Sequence, residues 1–135
     1  MKRRWHARFL SYQKALTKLR EITDVFQLEE LNEFERDSLV KRFELTFELA
    51  WNVLKDFLED QGAVDLFGSR NTFRSAFAVG VIKDGDLWMD MIDSRIKSTH
   101  IYDEEKIEEI AKLIYNPYAR LFIELETTLL GQLGE

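Results

Sequence analysis

The chain of 135 residues has no cysteine, one proline, six glycines and two histidines. Without cysteine there can be no disulfide framework, thiolate metal site or cysteine nucleophile, and a reducing cytoplasm is the expected setting. Glycine and proline are too scarce to give each of many short strands its tight turn, so a sandwich or barrel is excluded and helices are expected. No apolar run approaches the ~20 residues of a membrane span. The opening Met1-Lys2-Arg3-Arg4-Trp5 has the charges of a signal peptide with no apolar stretch after it. Neither export nor membrane insertion is expected. The histidines, His6 and His100, lack helical carboxylate or imidazole partners at ligand spacing, so no metal and no cofactor is expected.

The net charge is −6, from 19 basic and 25 acidic residues. That balance argues against broad, sequence-independent duplex binding, whose affinity comes from cations neutralising phosphates. The cluster Lys2, Arg3, Arg4 and Arg8 is read first as the solvated start of a helix and second as a local nucleic-acid contact.

What is present suits one helical domain over residues 1–135, with 45% hydrophobic residues for a core and 33% charged residues for a solvated exterior. Trp5, Phe9, Tyr12, Leu16 and Leu19 step by four and three, predicting a helix over about 3–26. Val40, Phe43, Phe47, Ala50, Leu54 and Phe57 predict a second, and Leu39, Leu45, Leu49, Trp51, Val53 and Leu58 widen its apolar surface, which marks it as central. Gly62 is placed to cap it in the left-handed conformation. A short helix follows, capped by Ser69 or Asn71, with Phe73, Ala76 and Phe77 buried and Gly80 ending it, after which Val81 and Ile82 pack back. Asp84 is placed to cap a further helix with Leu87, Trp88, Met91 and Ile92 inward, running to about Ile96 or Lys97. Asp103 caps the last, whose seam is Ile107, Ile110, Ile114, Tyr118, Leu121, Leu125 and Leu129; Pro117 should kink it, and Gly131 to Glu135 should fray. The fold class is therefore all-α, an antiparallel four-helix up-and-down bundle with an extra short helix. Its wide seams and many aromatics point to a homodimer.

Few residues can carry chemistry. Gly68-Ser69 and Asp84-Gly85-Asp86 have the residue types of a nucleotidyltransferase's triphosphate turn and metal aspartates, but a helix separates them. Ser98 precedes His100 by two residues, which is not a diagnostic triad spacing. The remaining constellation is Arg95, His100 and Tyr102. On one straight helix Arg95 and Tyr102 face the same way while His100 points ~140° from Arg95, so the three converge only if the helix ends between them. A histidine exchanges protons near neutral pH, and an arginine stabilises a phosphorane, which together suffice for metal-independent RNA cleavage by the ribose 2′-OH. The same residues also admit a purely structural role, in which Arg95 and His100 bind carbonyls or the carboxylates of Asp93, Asp103 or Glu104, and Tyr102 anchors the last helix. Trp51 and Trp88 are assigned to the core.

Arg95, four residues, His100, one residue and Tyr102 match the R-x4-H-x-Y motif, and here the chain resembles the HEPN proteins. Arg42-Phe43-Glu44-Leu45-Thr46-Phe47-Glu48-Leu49-Ala50-Trp51, Arg74-Ser75-Ala76-Phe77, Leu87-Trp88-Met89-Asp90-Met91 and Thr99-His100-Ile101-Tyr102-Asp103 are similar to blocks of the HEPN branch of nucleotidyltransferase substrate-binding proteins. The resemblance implies a dimeric four-helix bundle partnered with a minimal nucleotidyltransferase, as in toxin-antitoxin pairs. It also implies either a metal-independent ribonuclease, with Arg95 and His100 catalytic at a cleft between protomers, or a non-catalytic subunit presenting a nucleotide or other substrate. In the toxin form Tyr102 would be the adenylyl acceptor. The residue after the motif arginine, usually polar in the family, is Ile96 here.

Overall fold

The structure is a computed structural model that describes residues 3–100 and 103–134. The described residues form helices α1 (Arg4–Thr23), α2 (Glu33–Asp60), α3 (Ser69–Ala78), α4 (Gly85–Ser98), α5 (Glu104–Leu113) and α6 (Ala119–Leu133). They make the helical bundle that the apolar spacing predicts, with α5 and α6 as the two arms of the kinked last helix and α3 as the short extra one.

The predicted seam of α1 is buried from Trp5 to Leu19 and continues through Ala15 and Ile22. The helix stops three residues earlier than the pattern suggests, because Asp24 brings negative charge to a helix C-terminus and pairs back to Arg20 Nε at 2.7 Å. In the polar stretch that follows, Leu28–Glu30 makes one 3-10 turn. Asn32 then opens α2 with a capping box: its side chain accepts from Glu35 N–H at 2.9 Å while Glu35 takes the Asn32 N–H at 2.8 Å.

At 28 residues α2 is about 42 Å long, and it contacts α1, α3, α4 and α5. It is the central helix. Leu39, Phe43, Phe47, Ala50, Val53, Leu54, Phe57 and Leu58 are buried along it, each large side chain contributing about 1.5–3 kcal/mol. Leu45 departs from the expected wide seam and is exposed, at the edge of a groove toward α1. Gly62, with φ of +99°, ends α2 as predicted, and Ala63 N–H reaches the Leu58 carbonyl at 2.9 Å.

Three local features differ from what the sequence pattern predicts. Gly68, rather than Ser69 or Asn71, occupies the position before α3, and the Asn71 amide turns back to the Asp65 carbonyl. Phe77 is exposed, because Thr72 takes the inward place beside Phe73 and Ala76 and leaves Phe77 ~140° around the helix from it. Asp84 precedes α4 as expected, yet its carboxylate binds Arg120 at 3.1 Å instead of a helix N–H.

Trp88 is buried against Phe73 and Phe122, with ring centroids 4.9 and 5.9 Å away. Trp51 is only partly buried and gives its indole N–H to Glu48. Asp103 caps α5 by accepting Glu105 N–H at 2.9 Å. Between α5 and α6 the segment Ile114–Tyr118 widens to a π turn, and Asn116 leaves helical geometry (φ −161°, ψ 118°) before Pro117, which has no N–H to give. The predicted kink is there. Gly131 and the residues through Leu133 remain helical, where fraying was expected.

Candidate functional site

The motif sits where α4 runs out. Arg95 is in the last turn, Ser98 is the final helical residue, Thr99 follows it, and His100 N–H binds the Lys97 carbonyl at 3.1 Å in the turn beyond. Cations suit this end, where unpaired carbonyls concentrate negative charge.

Arg95 points toward α2. Its Nη1 lies 3.4 Å from Glu44 Oε2 and donates to Thr99 Oγ1 at 2.5 Å, while Nε lies 3.5 Å from Glu48 Oε1. Glu44 and Glu48 are one turn apart, so both carboxylates face the same guanidinium. Each has a second tether. Ser98 Oγ donates to Glu44 Oε2 at 2.6 Å, and Trp51 Nε1 donates to Glu48 Oε2 at 2.9 Å. The Arg95 and Glu44 side chains are only 25% and 15% exposed, which makes their attraction stronger than that of a fully hydrated pair. Together they border a depression of about 450 Å³ shared with Lys41, Ser98, Thr99 and Ile107.

One hydrogen bond and one ring stack beneath the surface hold this arrangement in register. Ser94, the residue before Arg95, is buried and shares a 2.6 Å hydrogen bond with the Tyr118 hydroxyl at the kink. The Tyr118 ring stacks on Phe43, the residue before Glu44, with centroids 5.6 Å apart and planes at 15°. Burial raises the Tyr118 pKa from its ordinary value; the Ser94 bond lowers it and Asp90 and Asp93 raise it further, leaving the phenol protonated at neutral pH.

His100 is exposed and belongs to a different depression, of about 680 Å³, lined by Ile96, Lys97, Asp103, Lys106 and Ile110. Among the described residues, then, Arg95 and His100 border different depressions. Tyr102 lies outside the described residues, although the flanking His100 and Asp103 both border the second depression. Ile96 is 56% exposed and supplies apolar surface beside His100.

Two of the carboxylates expected as structural partners are otherwise engaged: Asp93 approaches Arg70 at 3.9 Å and Asp103 caps α5. The true partners of Arg95, Glu44 and Glu48, were missed. Their signal was a pair of acidic residues four apart, each next to a core aromatic at Phe43 and Phe47. The basic cluster at the start of α1 is not a bare cationic patch. Arg3 pairs with Asp60 at 3.0 Å, Arg4 with Glu59 at 3.4 Å and Arg8 with the buried Asp56 at 2.6 Å; Lys2 lies outside the described residues. Among the described residues no three acidic or histidine side chains gather as metal ligands would, and no helix is long and apolar enough to cross a membrane.

The family model described as nucleotidyltransferase substrate binding protein like matches residues 7–130. A Thermus thermophilus protein of known structure is 30% identical, with a TM-score of 0.78 over 92% of this chain and 99% of that one. The tri-AMPylated Shewanella oneidensis HEPN toxin, in complex with MNT antitoxin, shares the fold at 13% identity, with a TM-score of 0.76 over 97% and 99% of the two chains. A Haemophilus influenzae protein, described as a substrate binding domain of a nucleotidyltransferase, shares it at 23% identity, with a TM-score of 0.65 over 93% and 96%. No curated protein sequence matches the chain.

Proposed function

The chain belongs to the family described as nucleotidyltransferase substrate binding protein like, and from that premise we propose that it is the HEPN-type partner subunit of a minimal nucleotidyltransferase in a cytoplasmic toxin-antitoxin-like pair, where it cleaves RNA without metal. The observation that carries the proposal is the match over residues 7–130, which takes in Arg95 in the last turn of α4 and the sequence positions of His100 and Tyr102 between α4 and α5. The likeness to a HEPN toxin bound to its antitoxin adds support.

In the proposed reaction His100 accepts the proton of a ribose 2′-OH as that oxygen attacks the adjacent phosphorus. Arg95 stabilises the charge gathering on the phosphorane oxygens. The bond from phosphorus to the 5′-oxygen breaks and that oxygen takes a proton from water, giving a 2′,3′-cyclic phosphate and a 5′-hydroxyl. Since Arg95 and His100 line separate depressions in one chain, the working cleft is proposed to form in a homodimer, with both protomers contributing. Exposed Leu10 and Leu45 flank an apolar groove of about 690 Å³ between α1 and α2, the kind of surface that a second copy would cover. Transfer of an adenylyl group from ATP to the Tyr102 hydroxyl, with release of pyrophosphate, is the proposed means by which the transferase silences the enzyme.

A second reading, a non-catalytic subunit that presents a nucleotide or other substrate, is favoured by one observation: Arg95 is already matched by Glu44 and Glu48, so an incoming phosphate must compete with them. RNA cleavage without metal, by wild type, His100→Ala and Arg95→Ala confirmed to be folded, separates the two. Loss of at least about 100-fold in both variants supports the ribonuclease. No cleavage by folded, unmodified wild type selects the presenting subunit.

A further inference from the structure

The α2 segment Arg42 to Trp51 has an obvious structural use for its aromatic residues and none for its two glutamates. An acidic residue on a long amphipathic helix ordinarily belongs to the solvated face. Glu44 does not: its side chain is 15% exposed and meets Arg95 and Ser98 across the α2–α4 contact. Glu48, one turn on, is oriented by the Trp51 indole and lies against the other edge of the same guanidinium.

We propose that Glu44, assisted by Glu48, is the positioning residue of the site, holding the Arg95 guanidinium side-on against α2 so that Nη2 is presented to a phosphate oxygen. Nη1 is directed to Glu44 and Thr99; Nε is buried and lies 3.5 Å from Glu48 Oε1 as an ion pair without making a hydrogen bond, and Nη2 likewise has no hydrogen-bond acceptor among the described residues. The use made of Nη2 rests on the ribonuclease reading; the holding of Arg95 does not. An arginine released from these carboxylates would swing on four rotatable bonds into solvent, and the order required for transition-state contact would be lost with it. The carboxylates also temper the positive charge of the site, so they trade ground-state attraction for RNA against geometry in the transition state.

That trade gives a signature that a purely structural role would not produce. Glu44→Gln keeps the shape and an oxygen for the Ser98 hydroxyl while removing the charge. It should lower kcat on RNA by on the order of 10- to 100-fold while KM stays level or falls, with no loss of fold by circular dichroism. Glu44→Asp, which retains charge at shorter reach, should recover part of kcat. An unchanged or raised kcat in Glu44→Gln would overturn the proposal, the latter showing that Glu44 merely occupies Arg95. Nitrogen-15 NMR of the Arg95 Nε–H, assigned with Arg95→Lys, reads the positioning directly. A sharp, ordered signal in wild type should become mobile in Glu44→Gln, and identical order in the two proteins would also overturn it. If wild type is inactive on RNA but the signal loosens, the ribonuclease reading fails and the positioning stands.

Discussion

Replacing Tyr118 by Phe, Ser94 by Ala, and both together probes the bond on which the site rests. The two hydroxyls are 2.6 Å apart, with Tyr118 1% and Ser94 7% exposed, so water cannot readily take the place of a deleted partner. A buried hydroxyl left alone costs about 1–3 kcal/mol. Ser94, inside α4, can turn its hydroxyl to the carbonyl one turn back, which places Tyr118→Phe near the lower end of that range. Tyr118 has no such refuge. Ser94→Ala should therefore cost more, about 2 kcal/mol, after the better helix propensity of alanine recovers about 0.5 kcal/mol. The double variant strands neither group and should lose about 1 kcal/mol, well short of the sum of the single changes. At this chain length 1 kcal/mol corresponds to about 4 °C in Tm. Urea unfolding followed by tryptophan fluorescence, with unchanged slopes, measures all three. A double variant as unstable as the two single changes added together would refute the reasoning, since it would mean that the hydroxyls do not depend on each other.

Two further predictions concern the opposite end of the bundle and high pH. Asp56→Ala removes the buried acceptor of Arg8, yet the Arg8 side chain is 47% exposed and can hydrate, so urea unfolding should register a loss of about 1–2 kcal/mol, against about 0–1 for Arg3→Ala at the exposed pair with Asp60. Burial, helped by Glu126, holds the Tyr12 pKa well above its ordinary value of about 10, and burial likewise raises Tyr118. The unfolded chain releases these phenolic protons first, so their contribution is intact below pH ~10 and stability should fall as pH climbs from there toward the folded-state values. Tyr12→Phe should flatten that fall in an alkaline series of denaturation curves; an unaltered slope would count against it.

The bundle was legible because apolar residues at three- and four-residue steps have one cause, a shared buried face, and Trp5 to Leu19 or Val40 to Phe57 leave little room for another. Phe77 was misread because periodicity weighs Thr72 as polar, whereas its hydroxyl binds the Gly68 carbonyl at 2.8 Å and lets the methyl side face inward. Asp84 shows a similar limit. Its position in the chain marks the start of α4, but the choice between a helix N–H and the guanidinium of Arg120, 36 residues away, is made in three dimensions. Arg95 and His100 were picked out by chemistry and spacing, and the helix break between them was placed correctly. Their separation into two depressions, and the engagement of Arg95 by Glu44 and Glu48, depend on how α4 is rotated against α2. No run of consecutive residues encodes that rotation. It follows from packing at Tyr118, Phe43 and Ser94, residues drawn from three helical segments.

The hydroxyl of Tyr12 donates to the carbonyl of Phe122 at 2.6 Å, joining residues 110 positions apart. During synthesis α1 and α2 leave the ribosome long before the helix that covers them. Until α6 emerges, Tyr12, Phe43 and Trp88 lack the Phe122 ring that sits beside each of them in the finished molecule. The half-made chain is a greasy hairpin without its lid, and exposed apolar surface of that kind is prone to aggregate while translation proceeds. Completion of the last helix is thus the step that turns a vulnerable nascent chain into a closed fold.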